Sequence, residues 1–188
     1  MRRRVVLLSG GVDSALCAFE IAQKEEAVCL FVDYGQPAAK QEYEACREFT
    51  QELRASGRSV LFYDAKTNLH YDDWSTETTN EIPARNLVLI SMGINLALAV
   101  GADIVALGII KDDAVDYVDC SPQFLKAAHE LGAAFGVMVE FPLLKWKKRQ
   151  VMQSAQRLGI DIDRLWSCYT PKSGKPCGEC QSCKARGV

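Results

Sequence analysis

The string Ser-Gly-Gly-Val-Asp-Ser at residues 9–14 constrains this chain more than any other feature of its sequence. It follows an apolar run at residues 4–8 and precedes a helical pattern, which predicts a buried strand turning through two glycines into a helix. The first backbone amides of a helix are unpaired and lie at the positive end of its dipole, so they bind phosphate. Glycine lets the backbone approach the phosphates closely. The residues predicted to bind a nucleotide here are Leu8, Ser9, Gly10, Gly11, Val12, Asp13 and Ser14.

Two residues of this loop, Asp13 and Ser14, are also candidates for catalysis. A carboxylate at Asp13 would repel the phosphates, which either helix capping or a Mg²⁺ ion between the carboxylate and the phosphates resolves. A plain helix-capping turn would explain the two glycines alone, whereas the whole string at a strand–helix junction favours a phosphate site. The loop lacks the Gly-Lys-Ser/Thr ending of a Walker loop, which argues against an ordinary P-loop nucleotidase.

The rest of the chain alternates short apolar runs with amphipathic stretches. Strands are predicted at residues 4–8, 27–32, 59–63 and 103–108, and helices around 43–53 and at 86–100, 122–136 and 147–158. The stretch 86–100 is apolar almost all round, which predicts a helix buried inside the fold. The alternation predicts an α/β fold with a doubly wound, Rossmann-like parallel sheet, whose ligands bind beyond the C-terminal ends of the strands. Residues 69–81 are polar and irregular, so a surface loop or lid is expected there.

Length and charge limit the classes of protein to consider. The 188 residues fit one domain, 1–188, and the net charge of -2 argues against a large nucleic-acid footprint. The apolar run after the first arginines ends within a few residues, and residues 87–100 are too short to span a bilayer. We therefore expect a cytoplasmic protein with no membrane partner and no direct nucleic-acid partner. Its eight cysteines are then expected to be reduced thiols or metal ligands.

Half of these cysteines lie close together near the C-terminus, at Cys168, Cys177, Cys180 and Cys183. Four thiolates with Cys-x2-Cys spacing can surround one Zn²⁺ ion tetrahedrally and leave no open position for water, which predicts a structural zinc site. An iron–sulfur cluster is the alternative, since it also takes four thiolates. Residues 166–188 are therefore predicted to form a small zinc module packed on the main domain.

The phosphate loop resembles the PP-loop of the ATP pyrophosphatase superfamily, also described as the adenine nucleotide α-hydrolase type, whose members cleave ATP to AMP and pyrophosphate. With further motifs across nearly the whole chain, the sequence resembles the 7-cyano-7-deazaguanine synthase family of queuosine biosynthesis. Those motifs are Asp33-Tyr34-Gly35-Gln36, Pro83-Ala84-Arg85-Asn86, Asp119-Cys120 with Pro122 and Phe124, Pro142-Leu143 with Lys145, and the tail from Trp166 to Cys183.

The resemblance implies an ATP-dependent carbon–nitrogen ligase. In that family ATP activates the carboxylate of 7-carboxy-7-deazaguanine, ammonia gives the amide, and a second ATP converts the amide to the nitrile. It also implies ATP, Mg²⁺ and Zn²⁺ as cofactors, and a homodimer. Arg85 and Lys145 become candidate catalytic cations, since a carboxylate nucleophile needs only charge stabilisation. The residues implied in substrate binding are Tyr34, Gln36, Arg85, Asn86, Tyr117 and Asp119.

The chain departs from the family pattern at a few positions. Pro37-Ala38 stand where the family usually has Arg-His, Ser121 stands where it has Arg, and the chain is shorter near residues 65–80 and after Cys183. These changes motivate alternative hypotheses: a relative that passes an activated deazapurine to another acceptor, including a protein, or a nucleotide-binding subunit without turnover. A PP-loop tRNA-modifying enzyme with an iron–sulfur cluster is a further alternative, which predicts RNA binding with a steep salt dependence.

Overall fold

The computed structural model describes residues 1–69, 82–113 and 117–186. Its strands are β1 (Arg3–Leu7), β2 (Glu26–Asp33), β3 (Val60–Lys66), β4 (Ile104–Leu107) and β5 (Met138–Glu140). Its α-helices are α1 (Val12–Ala22), α2 (Ala39–Ala55), α3 (Arg85–Val100), α4 (Pro122–Ala134), α5 (Lys148–Arg157) and α6 (Gln181–Arg186). Two short 3-10 helices lie at Val118–Cys120 and Ile162–Arg164.

The five strands form one parallel sheet in the order β3-β2-β1-β4-β5. The chain starts at the central strand, builds outward to β3, and then returns to the other side of β1 with β4. The strand order therefore reverses between β1 and β4, which is where a doubly wound sheet opens its ligand crevice. This confirms the predicted α/β architecture. The strand β5 was not predicted, because three residues are too few for a recognisable strand pattern.

Both faces of the sheet are covered, which explains why the inner strands β1, β2 and β4 are apolar over most of their length. Successive side chains of β1 point to opposite faces, so Val5 and Val6 enter different cores. One core lies beneath α1, α2 and α5, and the other lies beneath α3 and α4.

Residues 86–100 form the predicted helix, but the prediction that this helix is buried inside the fold was wrong. The helix α3 packs on β1 and β4 through one face, where a Cβ on Gly93 would lie 2.8 Å from Cγ1 of Val105. Its other face is open, because Leu87 is 44% and Leu98 is 53% exposed. The composition of a helix shows that it is apolar, but the tertiary structure decides how many of its faces are buried.

The loop or lid expected at residues 69–81 falls almost entirely outside the described residues, which resume at Ile82. Across the described ranges, no helix combines the length and the apolar character needed to cross a bilayer.

Candidate active site

The phosphate loop connects β1 to α1 and is closed by a serine hydroxyl. Ser14 is buried, and its Oγ donates to the carbonyl oxygen of Gly11 at 3.0 Å and accepts from the backbone N–H of Ser9 at 3.1 Å. Gly10 has φ +81°, a conformation that favours glycine. The hydroxyl proton of Ser14 is thus used within the loop, and Oγ of the exposed Ser9 lies 3.1 Å from Oγ of Ser14.

Distant segments hold the backbone of this loop in place. The N–H of Trp166 donates to the carbonyl oxygen of Gly10 at 2.9 Å, which ties the C-terminal region to the loop. Gly108, just after β4, lies so close that a Cβ there would be 2.8 Å from the carbonyl carbon of Asp13 and 2.9 Å from the nitrogen of Ser14. Sequence reasoning missed Gly108, because a lone glycine after a strand gives no signal of what it approaches.

Asp13 pairs with a lysine from the other end of the chain. Nζ of Lys148 lies 2.6 Å from Oδ2 of Asp13, while Oδ1 is buried and has no hydrogen-bond partner among the described residues. Lys148 is positioned at the start of α5, where its backbone N–H donates to the Asp112 carboxylate at 2.9 Å. Lys145, predicted alongside Arg85 as a candidate cationic helper, is exposed and does not line the cavity. The structure therefore brings Lys148, not Lys145, to the loop.

A cavity of about 330 Å³ opens at the C-terminal ends of the strands. It joins the phosphate loop to side chains that follow β2, begin α3 and precede α4. The predicted site residues that line it are Leu8, Ser9, Gly11, Val12, Asp13, Ser14, Tyr34, Gln36, Arg85, Asn86, Tyr117 and Asp119. Further lining residues include Glu42, Gly108, Asp113, Lys148, Tyr169 and Arg186.

Arg85 supplies positive charge to this cavity. Its NH1 donates to the Tyr34 hydroxyl at 3.3 Å, and its guanidinium carbon lies 5.9 Å from the centre of the Tyr34 ring. Its Nε is buried and has no hydrogen-bond partner within the described part of the chain. A buried, unsatisfied donor on a permanent cation is suited to an anionic ligand.

Asn86 and Asp119 bind each other, which gives them a clear structural role. Oδ2 of Asp119 accepts from the backbone N–H of Asn86 at 2.9 Å, and the Asn86 amide donates to the Asp119 carbonyl at 3.1 Å and to Sγ of Cys120 at 3.3 Å. These bonds fasten the 3-10 helix at Val118–Cys120 to the start of α3 and so orient Arg85. Burial raises the pKa of the Cys120 thiol to about 12, so this cysteine is not a thiolate nucleophile at neutral pH.

Glu42, on the first turn of α2, is a carboxylate in the cavity that sequence reasoning missed. Its Oε2 accepts from Nε2 of Gln36 at 2.8 Å. Burial raises the pKa of Glu42 to about 7, against the opposing effects of the Gln36 hydrogen bond and the positive charge of Arg85. In the sequence it stands among several glutamates of an amphipathic helix, so nothing distinguishes it from a solvated residue.

The four C-terminal cysteines come together in space. Their sulfur atoms all lie within 4.8 Å of one another, and those of Cys177 and Cys183 are 3.9 Å apart. Backbone N–H groups of Cys177, Glu179, Cys180 and Cys183 donate to sulfur atoms of the group at 3.2 to 3.4 Å. Such bonds stabilise thiolates, so the group has the donor set and the spacing of a metal site. The module joins the domain through Trp166, whose backbone N–H donates to the Gly10 carbonyl oxygen and whose Nε1 donates to the Cys168 carbonyl oxygen at 2.8 Å.

Comparison with known proteins fits this geometry. The family described as "Queuosine biosynthesis protein QueC" matches residues 3–188. The chain belongs to this family. It is 35% identical over 206 residues to a 7-cyano-7-deazaguanine synthase of Prochlorococcus marinus (strain NATL2A), covering 97% of this chain and 90% of that protein. A 7-cyano-7-deazaguanine synthase of Synechococcus sp. (strain CC9605) is 33% identical, covering 98% and 91%.

Solved structures of lower identity share the fold of this QueC family member. The U34-tRNA thiolase NcsA from Methanococcus maripaludis, with its [4Fe-4S] cluster, has a TM-score of 0.67 and 17% identity, covering 94% of this chain and 62% of that chain. A 4-thiouridine synthetase in a complex with RNA and bound ATP has a TM-score of 0.57 and 16% identity, covering 99% and 49%. At these identities the likeness establishes the PP-loop fold.

Two of the positions expected to depart from the family pattern, Ser121 and Ala38, have local structural roles. Ser121 caps α4, since its Oγ accepts from the backbone N–H of Phe124 at 3.2 Å and Pro122 occupies the first helical position. Ala38 is 1% exposed and its carbonyl oxygen accepts from the N–H of Glu42 at 2.9 Å, so it forms the packed start of α2. Small residues at these positions serve helix starts beside the cavity.

Proposed function

We propose that this chain is an ATP-dependent ligase that converts 7-carboxy-7-deazaguanine to 7-cyano-7-deazaguanine, the product for which its curated relatives are named. The observation that carries the proposal is one cavity that joins the phosphate loop to the cation Arg85 and the aromatic rings of Tyr34 and Tyr117. The site of such a reaction must bind three groups of its substrates, which are the phosphates of ATP, the carboxylate of the acid and its flat purine-like ring.

In the first step, a carboxylate oxygen of the substrate attacks the α-phosphorus of ATP and the bond to pyrophosphate breaks, giving an acyl adenylate. The carboxylate is already ionised, so no protein base is required. The N–H groups at the start of α1 stabilise the charge that develops on the phosphates. Lys148, three residues after the predicted Lys145, is the cation placed to stabilise the leaving pyrophosphate, because its ammonium group already lies against the loop.

A Mg²⁺ ion fits this end of the cavity. Asp13 offers the ligand, since its Oδ1 is buried and has no partner among the described residues. When bound, the ion would neutralise charge on the phosphates. Because Lys148 pairs with Oδ2 of Asp13, this carboxylate would support cations and would not act as a base when the ion is bound.

The remaining steps replace oxygen by nitrogen. Ammonia attacks the acyl carbon and AMP leaves, which gives the amide. The amide oxygen then attacks the α-phosphorus of a second ATP, pyrophosphate leaves again, and departure of AMP with loss of two protons from nitrogen gives the nitrile. In this proposal Arg85, whose Nε has no partner among the described residues, binds the substrate carboxylate, and the Tyr34 ring stacks on the base.

We assign the cysteine group to a structural Zn²⁺ ion. Zn–S bonds of about 2.3 Å in a tetrahedron place the sulfurs about 3.8 Å apart. The 3.9 Å between Cys177 and Cys183 and the 4.8 Å limit for the group fit that arrangement. A [4Fe-4S] cluster binds each thiolate to a different iron, which needs a wider group. Measuring the zinc and iron contents of the purified protein distinguishes the two sites, since an iron–sulfur protein would contain iron and be brown.

The test is to incubate the purified protein with ATP, Mg²⁺, ammonium and 7-carboxy-7-deazaguanine, and to follow the products by mass spectrometry. Amide and nitrile formed together with AMP are expected, with product formation lost in the Lys148→Ala variant. AMP formed without a modified base would point to another acid or acceptor. ATP binding without AMP would refute turnover and favour a non-catalytic subunit.

The homodimer implied by the family stays a proposal. It is supported by the open apolar face of α3, where Leu87 and Leu98 are exposed. Light scattering on the purified protein would decide it, and a monomeric mass at micromolar concentration would exclude a stable dimer.

A further inference from the structure

Glu42 lines the cavity, and its carboxylate is suited to a ligand group other than phosphate. It is a carboxylate in a cavity that must bind anionic phosphates, which is unfavourable unless the carboxylate faces a hydrogen-bond donor. Of its two oxygens, Oε2 accepts from Gln36.

The Gln36 side chain fixes the orientation of this carboxylate. Oε1 of Gln36 accepts from the backbone N–H of Tyr34 at 2.8 Å, so this atom must be the oxygen. Nε2 then donates both to the carbonyl oxygen of Val32 at 3.2 Å and to Glu42 at 2.8 Å. Both ends of the Gln36 amide make hydrogen bonds within the protein, so Gln36 positions the Glu42 carboxylate.

The backbone of Glu42 is fixed as well. Its carbonyl oxygen would lie 3.0 Å from a Cβ on Gly10, so α2 starts directly against the phosphate loop. Its backbone N–H donates to the carbonyl oxygen of Ala38 at 2.9 Å. The opposite charge of Arg85 acts on the Glu42 carboxylate from the start of α3. The cavity therefore holds a fixed anion and a fixed cation.

We infer that Glu42 is a specificity-determining residue that accepts hydrogen bonds from the ring N–H and the exocyclic amino group of a guanine-like base. These two adjacent donors match the two oxygens of a carboxylate, and each oxygen has lone pairs to spare beside the Gln36 bond. The inference rests on the proposed function, since it assigns one edge of the same substrate. Adenine fits less well, because its amino group lies beside an acceptor nitrogen that would face the carboxylate.

The deciding experiment uses the isosteric variant Glu42→Gln and measures the affinities for 7-carboxy-7-deazaguanine and for ATP separately by calorimetry. The oxygen of the introduced amide keeps the bond from Gln36, so the NH₂ group of that amide is turned towards the donors of the base. We expect affinity for the acid to fall about 10- to 100-fold, as for loss of one bidentate pair, with ATP affinity unchanged. Glu44→Gln, an exposed position on the same helix, is the matched control and should bind both ligands as the wild type does.

A second probe is 7-carboxy-7-deazahypoxanthine, which lacks the exocyclic amino group. The wild type should discriminate against this analogue, and Glu42→Gln should discriminate much less. Thermal unfolding checks that Glu42→Gln folds. If it does not, Glu42→Asp replaces it as the test variant. This variant keeps the charge on a shorter side chain and should lose part of the affinity for the acid.

The outcomes separate this inference from the proposed function. Wild-type turnover of the acid combined with unchanged affinity in both Glu42 variants would overturn the inference alone. Loss of ATP affinity with the acid still bound normally would also overturn it, by placing Glu42 at the adenine. A wild-type protein that neither binds nor converts the acid would refute the proposed function and the inference with it.

Discussion

Replacing Gly108 by alanine should distort the phosphate loop although Gly108 lies about a hundred residues from it in sequence. A Cβ at this position would lie 2.8 Å from the carbonyl carbon of Asp13, and ordinary contact begins at 3.4 Å, so the two segments must separate by roughly 0.6 Å. The neighbouring atoms belong to backbone at the start of α1, which cannot rotate away. Overpacking of this kind costs about 1–3 kcal/mol, partly offset by about 0.4–1 kcal/mol from a stiffer unfolded chain.

The expected result is a fall in melting temperature of about 2–8 °C for a domain of this size, measured without nucleotide by calorimetry. The matched control is Gly11→Ala, whose Cβ would meet its nearest atoms only at 3.7 Å and whose φ of -82° suits alanine. Gly11 belongs to the loop motif and Gly108 does not, yet Gly108→Ala should be the more destabilising change. If both variants have the melting temperature of the wild type, the close approach of Gly108 to the loop does not limit the residue at this position, and the prediction is refuted. AMP formation by Gly108→Ala should also fall, by up to about 100-fold, because misplaced phosphate donors lose transition-state stabilisation.

Three further predictions concern charge and metal. Lys148→Ala should lower kcat for AMP formation by about 100- to 1,000-fold, as when a transition-state donor is lost. Lys145→Ala is the control and should keep wild-type kinetics. Equal losses of kcat in the two variants would refute the assignment of Lys148 as the cation at the pyrophosphate. Cys183→Ser should abolish stoichiometric zinc binding and lower the melting temperature, since metal binding free energy adds to folding free energy, and metal analysis with calorimetry checks both. Because burial raises the pKa of Glu42 to about 7, its carboxylate is protonated below that pH and ionised above it, so the KM for the acid should fall as pH rises through about 7. The same raised pKa means that stability is lost as pH rises from about 4.5 to 7, by at most about 3 kcal/mol, and Glu42→Gln should lack both dependences.

Local patterns predicted the parts of the site that are contiguous in sequence. The loop at residues 9–14 was recognisable because its glycines, serines and the flanking strand and helix form one unbroken signal. The four cysteines were recognisable because their spacing alone limits how they can be arranged, and the structure brings their sulfurs together. Four of the five strands were predicted for the same reason, since each is an apolar run bounded by turns or charges.

The other contributors to the site depend on contacts between distant segments. Lys148 follows Lys145 and Lys147 in a charged run, and only the packing of α5 against α1 selects the one that reaches Asp13. Gln36 and Asp119 were predicted to bind substrate, yet each makes hydrogen bonds that hold a neighbouring residue in place. Gln36 donates to the Glu42 carboxylate, and Asp119 accepts from the backbone N–H of Asn86. Their substrate contacts remain predictions.

The sequence by itself determined four of the five strands, the phosphate loop and the cysteine-rich tail, because each is encoded by residues close together in the chain. The tertiary structure alone decided which lysine faces the phosphates, which glutamate enters the cavity, and which glycine the loop requires beside it. Periodicity and spacing specify local conformation, whereas these choices depend on the distance between β1, β4, α2 and α5 once the chain has folded.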